Sequence, residues 1–194
     1  MGKGEATRVA VLDEATRLAS QVGLGGLTIG SLATQTGLSK SGLFAHFRAK
    51  ESLQVQVLEH AAAQFRDYVV APAVAAPRGE PRLRALFDHW LAWISGALPG
   101  GCLFISASHE FDDQPGPVRD ALFANQSDWI ETIRRVVRGA VTQGHLAAGT
   151  DTGQFAQDLY GIALAYSLTH RLLRDPHAET RARRAFETLL RAAR

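Results

Sequence analysis

The chain is 194 residues long, 46% hydrophobic, and carries a formal net charge of +2. That length suits one large domain or a small domain fused to a larger one, with enough apolar material for a sizeable core. No run approaches the ~20 apolar residues of a membrane span, the N-terminus lacks a continuous apolar signal-peptide core, and a single cysteine excludes a disulfide framework or a multi-cysteine zinc site, so the expectation is a cytoplasmic protein.

Helical periodicity dominates from the start. Val11, Ala15, Leu18 and Val22 mark one face of a first helix. The glycine-rich stretch from Gly23 to Gly26 ends it. Two short helices follow, capped by Thr28 and Ser39. A fourth starts near Ala49, with Leu58, Ala61 or Ala62, Phe65 and Val69 as its apolar stripe. Pro72 predicts its end, and residues 71–81 read as a loop. A fifth helix is predicted over 81–98, opened by Pro81 at the favourable first position. Cys102 to Phe111 is a short apolar run read as helix, with strand as the alternative. A long helix runs to about Gln143, with Val118, Leu122, Trp129, Ile133, Val136 and Ala140 inward. Two more, about 153–174 and 177–193, are divided by Asp175 and Pro176. The expectation is an all-α fold of about nine helices.

The stretch from Thr28 to Lys50 carries the most information. It reads as two short helices joined by a tight turn. Ala33 is small enough for close helix approach, and Gly37 can take the positive φ of the turn. Leu32, Leu38 and Leu43 are expected to close a small core between the helices. That arrangement is a helix-turn-helix, whose second helix enters the major groove of DNA. Lys40, Ser41 and Gly42 fall in its first turn. Lys40 can reach a guanine edge or a phosphate, and Gly42 allows close backbone approach.

The string from Gly37 to Lys50, Gly-x-Ser-x-x-x-Leu-aromatic-x-His-Phe-x-x-Lys, resembles the signature of tetracycline-repressor-type (TetR) regulators. The resemblance is specific over about residues 5–60. It implies a DNA-binding domain over 1–48 and a helical effector-binding and dimerisation domain over 49–194. It also implies that His46 and Lys50 clamp phosphate, beside Thr28 and Ser39 at helix N-termini. Phe44 stands where the family usually has tyrosine; it either meets a thymine methyl or packs in the core, and Phe47 reads as core. Charge agrees. Residues 1–50 hold six cations (Lys3, Arg8, Arg17, Lys40, Arg48, Lys50) against Glu5, Asp13 and Glu14, while the remainder holds 15 arginines against 16 acids.

The middle helices are rich in aromatics. The resemblance implies an apolar pocket there for a small effector, and Phe87, Trp90, Trp93, Phe104, His109, Phe123, Trp129 and Tyr166 are its candidates. Ordinary core packing is the competing reading for each. The resemblance further implies a homodimer through the last two helices, by way of Phe155, Leu159, Ile162, Tyr166, Phe186, Leu189 and Leu190. The expected function is a transcriptional regulator, a repressor released from palindromic double-stranded DNA by a small hydrophobic or aromatic effector.

Two alternatives remain open. Cys102 at a helix start suits a redox-sensing regulator, because a helix N-terminus lowers a thiol pKa. A small enzyme with Cys102 as nucleophile and His109 as base lacks a third orienting group and an oxyanion site. His109, Glu110, Asp112 and Asp113 do not have metal-ligand spacing and read as a solvated helix end. No cofactor, metal, catalytic residue or membrane partner is expected.

Overall fold

Capping and turn chemistry set the first third of the chain in the computed structural model, which describes residues 3–194, with side chains from Thr7 onward. The side chains of Lys3 and Glu5, counted in the charge balance above, lie outside the described residues. Helix α1 is Lys3–Val22, α2 is Ile29–Thr36 and α3 is Lys40–Phe47. Thr28 and Ser31 form a reciprocal capping box at the start of α2, satisfying two otherwise orphaned donors. Gly37 ends α2 at φ 70°, a left-handed geometry that glycine adopts without steric penalty. Ser39 caps α3 by accepting from the Gly42 N–H at 3.1 Å.

Helix α4 begins at Lys50–Phe65, widens into a π-helical turn at Arg66–Val70, and continues as Ala71–Ala75. The expected stop before Pro72 does not occur. Proline lacks the N–H for the helical ladder and crowds the preceding turn. Here the widened turn lies just ahead of it, and the helix resumes with proline in its opening turn. Helix α5 is Glu80–Ala92 with a π-helical end, Trp93–Ala97. Helix α6 is Leu103–Phe111, which resolves the helix-or-strand ambiguity, and α7 is Pro117–Thr142. Helix α8 is Thr152–Ser167 with a third π-helical turn, Leu168–Leu172, and α9 is Ala178–Ala192. Nine helices and no strand are found among the described residues, as the sequence predicts. None is long and apolar enough to cross a membrane.

The chain divides into two compact units. The first joins the residues up to Gln64 with Leu98–Asn125; the second joins Phe65–Ala97 with Gln126–Arg194. The limits of these packing units fall inside α4 and α7. Local pattern marks where a helix-turn-helix ends, but it carries no information about which distant segment packs upon it.

In the first unit, Leu24, Leu27, Leu32, Leu43, Phe47, Leu53 and Val57 form the core. Each fully buried leucine contributes roughly 1.5–3 kcal/mol relative to exposure. Two expectations fail here. Leu38 is exposed rather than part of the inter-helix core, and Val22 is exposed rather than on the buried face of α1. The buried face of α1 centres on Leu12, Ala15 and Ala19. The inward stripe of α7, from Val118 to Ala140, follows the predicted periodicity.

Candidate nucleic-acid interface and aromatic cluster

The outer face of α3 is built by the alternation of its residues. Leu43 and Phe47 point into the core, while Ser39, Lys40, Ser41, Gly42, Phe44 and His46 are exposed. Phe44, at 55% exposure, is therefore not a core residue. An exposed phenylalanine on a helix that buries its other large apolar side chains presents its ring for contact. Between Ala15 and Lys50 the sequence has no aspartate or glutamate, so nothing on this stretch repels phosphate. The Thr28 hydroxyl is engaged in the capping box and lies at the exposed N-terminus of α2. Arg48, which sequence reasoning passed over, closes α3 with φ 59° and is exposed, adding a cation to this face.

Lys50 does not simply reach outward. Its Nζ donates to the Gly25 carbonyl at 2.6 Å, tying the start of α4 to the turn between α1 and α2. Gln54 Nε2, buried, donates to the Leu24 carbonyl at 2.8 Å. From α6, the Glu110 carboxylate accepts the backbone N–H groups of Leu24 at 3.2 Å and Gly25 at 2.6 Å. Glu110 is thus not part of a solvated helix end. It accepts two N–H groups of that turn, in charge-assisted bonds that are stronger than neutral ones. Close by, the Gly100 N–H donates to Ser20 Oγ at 3.0 Å. A Cβ on Gly100 would stand 1.6 Å from the Ser20 carbonyl oxygen, so only glycine fits. A further clasp joins α1 to α4, where Asp13 Oδ1 lies 2.6 Å from His60 Nε2 and accepts from Gln64 at 2.8 Å.

The second unit gathers aromatic rings. Phe65 lies edge-on to Trp93 at 5.4 Å and to Trp129 at 4.7 Å. Trp90 lies edge-on to Trp129 at 4.9 Å and 5.5 Å from Tyr160, and Tyr68 lies 5.8 Å from Trp93. Gln126 donates to the Tyr160 hydroxyl at 2.8 Å. Of the residues proposed from sequence, Trp90, Trp93 and Trp129 meet here. Phe87 instead stacks on Phe186 at 4.1 Å. Tyr166 is buried and stacks on His170, and burial raises its hydroxyl pKa against the opposing effect of its hydrogen bond with Ser95. Phe104 and His109 belong to α6 in the other unit, and Phe123 is 69% exposed. Sequence reasoning missed Phe65, Tyr68 and Tyr160. Their only signal was the helical spacing of aromatics, which core residues share.

The last two helices also differ from expectation. Phe155, Leu159, Tyr166, Phe186 and Leu190 are buried inside the protomer. They cannot also line an outer seam. The outward face of α8 instead carries Gly161, Ala165, Leu168 and Leu172, flanked by half-buried Ile162 and, on α9, half-buried Leu189. Large apolar residues mark the inner stripe, and that stripe closes the monomer. Cys102 is buried at the N-cap of α6. His109 is exposed, with Nδ1 2.8 Å from the Ile105 carbonyl, two turns further along. Two turns amount to roughly 10 Å of helix rise, so the two are not a nucleophile–base pair.

A capped helix-turn-helix with an exposed, acid-free recognition face, followed by a larger helical body, defines a DNA-binding regulator. Comparisons with known proteins agree. The family model described as "Bacterial regulatory proteins, tetR family" matches residues 11–57. The model described as "Tetracyclin repressor-like, C-terminal domain" matches residues 79–186, more than half of the chain. A search of curated proteins found no significant match. Among solved structures, a TetR transcriptional regulator from Chloroflexus aurantiacus is 26% identical with a TM-score of 0.85, covering 98% of this chain and 95% of that one. A cysteine mutant of the TetR-family regulator CifR, complexed with 26-base-pair operator DNA, is 27% identical with a TM-score of 0.78, covering 95% of this chain and 96% of that one. SCO4454 from Streptomyces coelicolor, at 23% identity, shares the fold with a TM-score of 0.80 over 96% and 95% of the two chains. The chain belongs to the tetracycline repressor (TetR) family of transcriptional regulators.

Proposed function

We propose that this regulator is a homodimeric repressor that grips a palindromic operator with two copies of α3 and releases it when a small apolar effector enters the aromatic cluster. The exposed face of α3, Lys40 to His46, is the observation that carries the reading. Lys40 meets a base edge or phosphate, Gly42 admits the backbone, and Phe44 packs on a thymine methyl. His46, Arg48 and Lys50, with the N-termini of α2 and α3 at Thr28 and Ser39, meet phosphates. Dimerisation supplies the second half-site, since one short helix reads too little sequence alone. The open face Gly161, Ala165, Leu168 and Leu172 supports this, because small residues let helices approach and exposed leucines gain by burial.

Release is linkage. An effector that binds the DNA-incompetent arrangement more tightly lowers operator affinity by the same factor, typically ~1–3 kcal/mol. Helix α4 follows α3 directly and carries Phe65 of the aromatic cluster, which makes it the proposed transmitter. Footprinting the DNA upstream of the gene tests the reading. The expected result is a protected palindrome bound by two protomers, with half-sites about 34–36 Å apart or somewhat more and affinity falling steeply with salt. Affinity equal to that for random duplex would contradict it.

A further inference from the structure

We infer that the effector is a neutral molecule whose aromatic body carries a carbonyl-type oxygen that accepts hydrogen bonds from the indole N–H groups of Trp93 and Trp129. The inference rests on the pocket reading above and narrows it. Among the described residues, the indole nitrogens of Trp93 and Trp129 are the buried side-chain nitrogen or oxygen atoms with no hydrogen-bond partner. Trp93 is 2% exposed and Trp129 is 7% exposed. Buried polar groups in native proteins are nearly always satisfied, so an unpaired one calls for a partner. Two such groups fall in one cluster, on the two rings that lie edge-on to Phe65.

Chemistry narrows the partner. Indole nitrogen donates and does not accept, so the ligand must present acceptors. Among the described residues, Thr16, Ser20 and Gln54 are the buried polar or charged side chains besides the tyrosine and tryptophan heads, and all three belong to the other unit. No buried cation stands ready for a carboxylate, and a buried anion without a partner is strongly disfavoured. A neutral ketone, lactone, ester or quinone oxygen fits both conditions. The surrounding rings suit a flat apolar body. Phe65 directly precedes one π-helical turn, and Trp93 opens another. Tyr68, on the first of these turns and packed against Trp93, is 45% exposed, which gives the cluster an edge toward solvent. Such turns recur at functional sites because they interrupt the regular ladder and reposition side chains.

A matched trio tests this with the full-length protein: 2-acetonaphthone, 2-ethylnaphthalene and 2-naphthoate, with affinities read by tryptophan quenching and melting temperature. The ketone should bind about tenfold tighter than the hydrocarbon, the size of a well-made hydrogen bond. That preference should shrink in Trp93→Phe and in Trp129→Phe, which keep a ring and lose the N–H. Should either variant fail to fold, nitrogen-15 spectra of the wild type decide. Two of the three indole N–H resonances should move downfield with the ketone and stay in place with the hydrocarbon. Equal affinity of ketone and hydrocarbon, with unmoved resonances, would overturn the acceptor inference and leave the apolar pocket standing. Tighter binding of the naphthoate would overturn the neutral assignment. No binding by any of the three would overturn the pocket reading itself and this inference with it.

Discussion

The two units of this regulator are held together by different chemistry. The first is fastened by directional polar contacts. Glu110 holds the Leu24–Gly25 turn, Ser20 meets Gly100, Gln54 meets Leu24, and Asp13 meets His60 and Gln64. The second is packed by rings, edge to face around Phe65 and Trp129 and stacked at Phe87 and Phe186. Hydrogen bonds fail over a fraction of an ångström, so the first unit holds a recognition helix in one pose. Ring contacts tolerate several geometries, which suits the second to the effector proposed for it. A domain that must present side chains to bases needs the former property, and one that must accept a ligand needs the latter.

The largest expected effect probes the aromatic side. Trp129→Ala removes the ring shared by Phe65 and Trp90. It should cost about 3–5 kcal/mol, as truncations of buried aromatics do, and thermal denaturation should show it. Trp129→Phe should cost far less. If the two are equally harmful, the aromatic unit is as geometrically strict as the polar one and the contrast collapses.

On the polar side, Gly100→Ala should destabilise by about 3 kcal/mol, because its methyl meets a backbone carbonyl that cannot retreat like a side chain. A smaller change, Glu110→Gln, keeps the side-chain size but loses the charge-assisted bonds. It should cost about 1–2 kcal/mol and weaken operator binding severalfold, measured by melting and by fluorescence anisotropy on the footprinted site. Unchanged DNA affinity would show that the Leu24–Gly25 turn does not position α3.

How much of this was legible in the sequence follows the same divide. The helix-turn-helix was readable because its caps and turn are local. Thr28 reaches Ser31, Ser39 reaches Gly42, and Gly37 needs no partner at all. The helix count and the inward face of α7 were readable from periodicity. Glu110 was not, because its partners lie more than eighty residues away and nothing in its own neighbourhood signals them. The continuation of α4 past Pro72 was hidden because a π-helical turn has no sequence signature of its own. The last two helices misled for a different reason. Their strongest apolar stripes, with Phe155 and Phe186, face inward, and the open face of α8 is made of small residues and late leucines.

The smallest expected effect concerns pH and the surface of the second unit. The Arg194 and Arg84 guanidiniums beside Glu80 hold its carboxyl below the ordinary 4.5. Arg84 does the same for Glu187. Both carboxyls titrate lower when folded than unfolded. Their stabilisation is therefore complete above about pH 4.5 and lost as the pH falls through the lowered values. Because the pairs are near the surface, the total should stay within about 1 kcal/mol. Comparing acid titrations of wild type and Arg84→Met measures it, and identical curves would remove this network from the account.

The central claim is that α3 reads base sequence through its exposed face. Selecting bound sequences from a randomised duplex pool, with wild type and with Lys40→Ala, tests it most directly. The account predicts a palindromic consensus for the wild type. In the variant, preference should relax at one or two base pairs per half-site, by about 1–3 kcal/mol of discrimination, with the other positions unchanged. A parallel Arg48→Ala selection should keep the full consensus at lower affinity, since its proposed partner is phosphate. An unaltered consensus from Lys40→Ala would confine that residue to phosphate. No consensus from the wild type would contradict the claim that this helix recognises DNA sequence.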